Sequence, residues 1–488
     1  MDPQAVTDNV LQRKRKLTYV VIGFIFLLSG IEYAVVLPTI WMYLQELDAQ
    51  PFFLGLVLSA FSLTELLAGP LFGYWSDRTG QTKFVILLSN CFEIAGNFIY
   101  FVGISKWLLL SSRLVAGIGA GAGASIFGYL TRTSSSQDRV TVFAMAMSCR
   151  QVGLLIGPAF NVFLRYCNFN IGPFHVNKFS APGIFMCALW TLMQLMVLFM
   201  FYDLPMKPPE ALEKENEPLL KQTENLNPEL TPSYGTINST HKPSTEDADT
   251  TEYSSNTCSP TSQIITCNPE HGAQDGNCNN IQNATGFVRE EIVTLLAAQF
   301  VTLFNQTALE TLVTPLAQKY LGFQDLQNSL LYFLCGIELL IGFLAVRTLS
   351  PCSSDRALLI FGLVVCIISC IWCLVFLAKP RGGYGLLMGE FVVGVFLQIL
   401  GLPFVAVPQV SLFSKLTAEN TQGFNHGIRR AMGGIATIMG PLWAAGLIEN
   451  LYIMLGVMMG LLLLVTVMVG ASYKYLLEPI NTEVHVPR

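Results

Sequence analysis

The chain has 488 residues, of which 52% are apolar and 12% charged, with a formal net charge of −5. Its mean hydropathy is +0.50. Soluble domains carry about 25% charged residues, so this chain lacks the polar surface that several water-facing domains need. A cytosolic enzyme is excluded. A nucleic-acid binder is excluded too, because no basic stripe is present to neutralise phosphates.

A bilayer core about 30 Å thick needs about 20 apolar residues in a helix. Residues 1–16 form a polar tail that ends in Arg13-Lys14-Arg15-Lys16. Apolar runs then follow at 17–40, 52–74, 84–103, 107–130, 140–165 and 181–204, predicting a first bundle over 17–204. Residues 205–287 are rich in Glu, Asn, Thr, Ser and Pro and bury too little apolar surface to fold alone, so they read as a disordered linker. Six more runs lie at 291–315, 327–347, 357–378, 385–409, 424–447 and 452–476, within a second bundle over 288–477, and 478–488 is a tail. The expectation is an all-α integral membrane protein with twelve transmembrane helices in two six-helix bundles.

The first run is too long for a signal-peptide core and is read as an uncleaved anchor. With the N-terminus in the cytosol, the tails and short loops place fifteen Lys and Arg on the cytosolic side and six on the other, as the positive-inside rule requires. Both tails and the linker are then expected to be cytosolic. The sequons at Asn238, Asn283 and Asn305 should carry no glycan. Within the linker, Glu215 stands four residues before the Leu219-Leu220 pair, and Tyr234 three before Ile237. Both are the kind of extended cytosolic signal that clathrin-adaptor machinery reads, which points to an endosomal or lysosomal membrane.

The twelve cysteines give no disulfide framework. Cys366, Cys370 and Cys373 share a helix face, a spacing that small apolar packing explains better than a soft-metal site. Gly117, Gly119, Gly121 and Gly123 lack the Lys-Ser or Lys-Thr of a phosphate loop and suit close helix packing. No cofactor motif or nucleophile–base arrangement is found, so no enzymatic activity is expected.

The two halves repeat one another. Pro38 is followed five residues later by Tyr43-Leu44, and Pro315 by Tyr320-Leu321, while Glu32 and Glu310 stand six and five residues before those prolines. Glu65-Leu-Leu-Ala-Gly69 matches Glu338-Leu-Leu-Ile-Gly342, Arg113…Gly117 matches Glu390…Gly394, and Gly157-Pro158 matches Gly440-Pro441. Duplication explains this order, and the bundles should be pseudo-symmetric.

This pattern resembles the major facilitator superfamily over about 400 residues. Its most specific element is Gly73-Tyr-Trp-Ser-Asp77-Arg78-Thr-Gly80, closed by Lys83. It is similar to the superfamily's cytosolic loop signature, although Gln81 and Thr82 replace the usual basic residues. The resemblance implies that the glycines, Gly73 and Gly80, let neighbouring helices approach. It also implies that Asp77, beside Arg78, faces the positive end of a helix from the other half as a cytosolic gate. The Glu310–Pro315 segment, Gly336-Ile-Glu338, Arg113 with its glycine tail and the Glu-Pro-Leu-Leu sequence resemble a lysosomal branch of the superfamily. That likeness implies chloride permeation.

Eight charges fall inside predicted spans: Glu32, Glu65, Glu93, Arg113, Arg150, Glu310, Glu338 and Glu390. Each would cost about 2.5–3.5 kcal/mol facing lipid, so they should face a cavity or a partner. Since the first, fourth, seventh and tenth helices line the superfamily's cavity, Glu32, Arg113, Glu310 and Glu390 are the candidate pathway residues, with Arg150 added. Counting about 1.5 Å per residue places Glu32, Arg113, Glu310 and Glu390 towards the lumen and predicts a charged lumenal gate. Glu65, Glu93 and Glu338 are divided between this role and helix–helix pairing. The expected function is movement of a small solute or inorganic anion, chloride by resemblance, with the Glu residues as pH control. The alternatives are a proton-coupled carrier of an organic solute and a non-transporting receptor or scaffold.

Overall fold

The computed structural model describes residues 3–134, 136–204, 289–350, 352–378, 382–417 and 422–476. The sorting signals expected in the linker, at Glu215, Leu219, Leu220, Tyr234 and Ile237, lie outside these residues.

Almost every described residue is helical. In the first half the helices are α1 (Pro3–Glu46), α2 (Pro51–Thr79), α3 (Thr82–Val102), α4 (Lys106–Ala120), α5 (Ala122–Thr133), α6 (Ser136–Leu164) and α7 (Ala181–Met200). α4 and α5 form one span interrupted at Gly121. A short antiparallel hairpin, β1 (Phe169–Ile171) and β2 (Phe174–Val176), links α6 to α7, with Phe169 opposite Val176. The second half has α8 (Glu290–Leu321), α9 (Asp325–Leu349), α10 (Asp355–Trp372), α11 (Tyr384–Leu416), α12 (Gln422–Gly446) and α13 (Leu451–Ala471). α10 runs on into a π-helical turn, Cys373–Leu377.

Eleven of these segments are long and apolar enough to cross a membrane. The twelfth predicted run, 424–447, forms the 25-residue α12, which is not among the eleven. Its sequence opens with His426, Arg429 and Arg430, and these polar residues pull it below the hydropathy of its neighbours. With twelve alternating crossings, the start of α1 and the end of α13 share one face, called terminal below; the other face is distal.

Glycines set the closest helix approaches. At the α1–α6 crossing, Gly30 and Gly153 meet: a Cβ on Gly153 would lie 3.0 Å from the Gly30 Cα, and one on Gly30 would lie on the Arg150 carbonyl. Gly157 packs against Ala34 and the Ile31 carbonyl of α1. The corresponding Gly440 of α12 packs against Thr307 and the Phe304 carbonyl of α8. The Gly-Pro pairs of the repeat thus do the same packing in both halves, where a β-carbon would force the helices apart.

Candidate functional site

The two halves pack together chiefly through α2 against α12 and α6 against α9, and a line of polar contacts also joins α1 to α8. Tyr33 donates its hydroxyl to Glu310 Oε2 at 3.1 Å. One turn on, Thr314 Oγ1 donates to the Leu37 carbonyl at 3.4 Å, and one further turn on Trp41 Nε1 donates to Gln318 Oε1 at 2.6 Å. All three pairs are 277 residues apart in sequence, which is also the separation of Pro38 and Pro315. Spacing of four residues keeps the three contacts on one helix face. They form a seam running from the middle of the molecule towards the distal face, where Gln318 also donates to Gln45 at 2.8 Å.

A cavity of about 200 Å³ opens beside the inner end of this seam. Its wall is mostly apolar, with Leu155, Leu309, Val313, Phe391 and Ile399 among the lining residues. The polar lining groups are Tyr33, Gln151, Gln306, Glu310, Tyr332 and Gln398. Glu310 is the one carboxyl among them, and neither Lys nor Arg joins it on the wall. Tyr332 donates to the Glu310 backbone carbonyl at 3.0 Å, which ties α9 to the same turn of α8. A second void of about 10 Å³, bordered by Trp41, Glu310, Thr314 and Tyr332, continues from Glu310 under the seam.

At the distal face, Asp325 begins α9 and is 7% exposed. It is approached by Lys178 at 3.4 Å and Arg165 at 3.8 Å, both from the first half. Asn177 shapes the Lys178 loop by accepting from the backbone N–H groups of Phe179 and Ser180. Asp325, Arg165 and Lys178 thus form a charge cluster that joins the two halves at the distal end.

Glu32 and Arg113, two of the expected pathway residues, do not line the cavity. They face each other inside the first half at 3.8 Å, with side chains 1% and 4% exposed. Glu32 also accepts from Asn97 Nδ2 at 2.9 Å and Trp190 Nε1 at 2.7 Å, and the Arg113 guanidinium lies over the Phe61 ring. Glu93, buried on α3 beside this group, has one carboxylate oxygen without a hydrogen-bond partner. Five helices of one half enclose this cluster, so its geometry is that of a polar core.

Glu390, also expected on the pathway, is outside the lining. Its Oε2 is buried without a partner, and its backbone carbonyl accepts from Trp372 Nε1. Glu338 likewise has a buried, unpartnered Oε2 near Cys335. Arg150 lies within electrostatic range of Tyr33 but not on the lining, and its Nε is buried without a partner. Glu65 pairs across the halves with Arg430 of α12 at 3.4 Å. Of the five pathway candidates, the cavity receives Glu310 alone.

Residues 22–350 match the model of the family described as Major Facilitator Superfamily. This chain belongs to that superfamily. It is 25% identical over 371 residues to major facilitator superfamily domain-containing protein 8 of Xenopus laevis, an alignment that covers 73% of this chain and 61% of that relative. The chain thus spans about three-fifths of the length of this curated relative. A bacterial homologue of the human lysosomal transporter Spinster, inward-facing and unoccupied, superposes with a TM-score of 0.64 at 12% identity, covering 94% of this chain and 97% of that one. The human organic anion transporter TETRAN gives a TM-score of 0.56 at 16% identity over 93% and 99%. At these identities the two structures show the fold alone.

Membership of the superfamily gives the loop signature its context, and here it departs from the family expectation. Gly80 ends α2 in the left-handed region at φ 68°, with its N–H on the Ser76 carbonyl, and Gly73 packs near Ala124. Asp77 pairs with Arg132 of α5, in the same half, and Arg132 also donates to Ser76 and Thr82. Arg78 donates to Tyr74 on its own helix. Among the described residues no contact joins Asp77 to the second half; the cross-half charge pair on this side is Glu65–Arg430. Lys83 anchors the turn by donating Nζ to the Leu198 carbonyl at 2.8 Å.

The residues that sequence reasoning passed over are Tyr33, Asp325 and the Trp41–Gln318 pair. Tyr33 had a usable signal, since it stands five residues before Pro38 just as Glu310 does before Pro315.

Proposed function

We propose that this protein is a proton-coupled secondary transporter of an endolysosomal membrane, carrying a small organic solute through the central cavity. Both tails and the linker then face the cytosol, and the distal face is lumenal. The Lys and Arg asymmetry supports that orientation, and the paired linker signals support that location. The observation that carries the mechanism is the Tyr33–Glu310 bond, because the one carboxyl of the cavity is held by the opposite half. Protonating Glu310 replaces a charge-assisted bond by a neutral one of about half the strength. A proton therefore acts on the contact that must break when the distal end opens, and alternating access follows as a shift between two packings.

Chloride permeation is the second reading, favoured by the closeness of Arg150 to Tyr33. The cavity favours it less, because no Lys or Arg is among the residues that line it.

Reconstituted protein with entrapped pyranine tests the choice over a panel of amino acids, sugars, nucleosides, organic cations and organic anions. Solute-induced proton movement that disappears in Glu310→Gln is the expected result. A chloride current that needs no proton gradient and is lost in Arg150→Gln would replace this proposal by the second.

A further inference from the structure

The charge and shape of the cavity narrow the solute further. Its only lining carboxyl is Glu310, and neither Arg113, which is paired with Glu32, nor Arg150, which acts electrostatically on Tyr33, is among the lining residues. Most of the remaining lining is apolar. An anion placed here would meet a carboxylate without a lining counter-charge, and a sugar would leave most hydroxyls unpaired against Leu and Val side chains. A cation with an apolar body meets the opposite case: its charge reaches Glu310, whose carboxyl and backbone are held by the Tyr33 and Tyr332 hydroxyls, and its body replaces water on the aliphatic wall.

Resting on the transporter reading above, we propose that the solute is an amphipathic organic monocation, with its charged nitrogen at Glu310 and its apolar part against Leu309, Val313 and Phe391. The cavity of about 200 Å³ suits one aromatic ring with a short amine arm.

The probe is benzyltrimethylammonium, which holds its charge at every pH, compared with neopentylbenzene, its neutral isostere, and with benzoate. Binding to the purified full chain is read by thermal stabilisation, and movement by counterflow of radiolabelled probe in proteoliposomes. The cation should bind and exchange, the other two should not, and Glu310→Gln should weaken cation binding at least tenfold. In Arg150→Gln the preference for the cation should persist. Benzoate binding that is lost in Arg150→Gln, or cation binding that is equal in Glu310→Gln, overturns the inference. A neutral solute that moves with protons through Glu310 while the cation does not bind overturns it as well, and leaves the transporter proposal standing. Loss of the proton dependence itself would remove both.

Discussion

Tyr33 and Glu310 stand at equivalent places in the two halves, each five residues before its helix proline, and their side chains meet at 3.1 Å. A residue of one repeat thus holds the acid of the other. Tyr33→Phe and Glu310→Gln should each slow transport. In the double variant the effects should fall short of their sum, by a coupling of about 0.5–3 kcal/mol. Rates in proteoliposomes measure this, and strict additivity would mean that the bond plays no part in turnover.

Arg113→Ala should act on folding before it acts on flux. Removing one partner of a buried ion pair leaves an uncompensated charge and costs about 3–5 kcal/mol, and here the orphan is Glu32 with its Asn97 and Trp190 donors. The expected outcome is a large fall in melting temperature and yield. A well-folded Arg113→Ala protein with abolished flux would instead return Arg113 to the pathway.

The seam can be locked. Thr314 Oγ1 reaches the Leu37 backbone, so a Leu37→Cys/Thr314→Cys pair should cross-link under copper phenanthroline, arrest transport and recover with dithiothreitol. Cross-linking without arrest would show that the distal end need not open.

Asp325→Asn removes the charge that Lys178 and Arg165 share across the distal face. In the Leu37→Cys/Thr314→Cys background it should slow cross-linking, because the closed arrangement loses two attractions. An unchanged rate would make Asp325 a helix-start residue only.

Gly30→Ala and Gly153→Ala each place a β-carbon between α1 and α6 where backbone already lies. Overpacking of this kind costs about 1–3 kcal/mol, and the double variant should be worse than either. Thermal denaturation in detergent checks it.

The spans, the repeat and the loop signature were legible in the chain because hydropathy and local spacing carry each of them. Glu32 was misplaced for a reason of helical phase. It stands six residues before its proline where Glu310 stands five, and one residue is about 100° of rotation, enough to turn a carboxylate from the cavity into its own bundle. The cation facing it, Arg113, is 81 positions away in sequence, so local pattern could not reveal the pair. Asp325 read as an ordinary acidic helix start, and its partners lie in the other half.

The constant offset of 277 along the seam has a mechanical consequence. Two helices in unbroken register have not slid past one another, so they part most easily by tilting. With Glu310 nearest the fulcrum, Trp41 and Gln318 lie about 12 Å out along the lever arm. They must travel farthest and let go first, and a small change at the carboxylate is thereby amplified into a wide mouth.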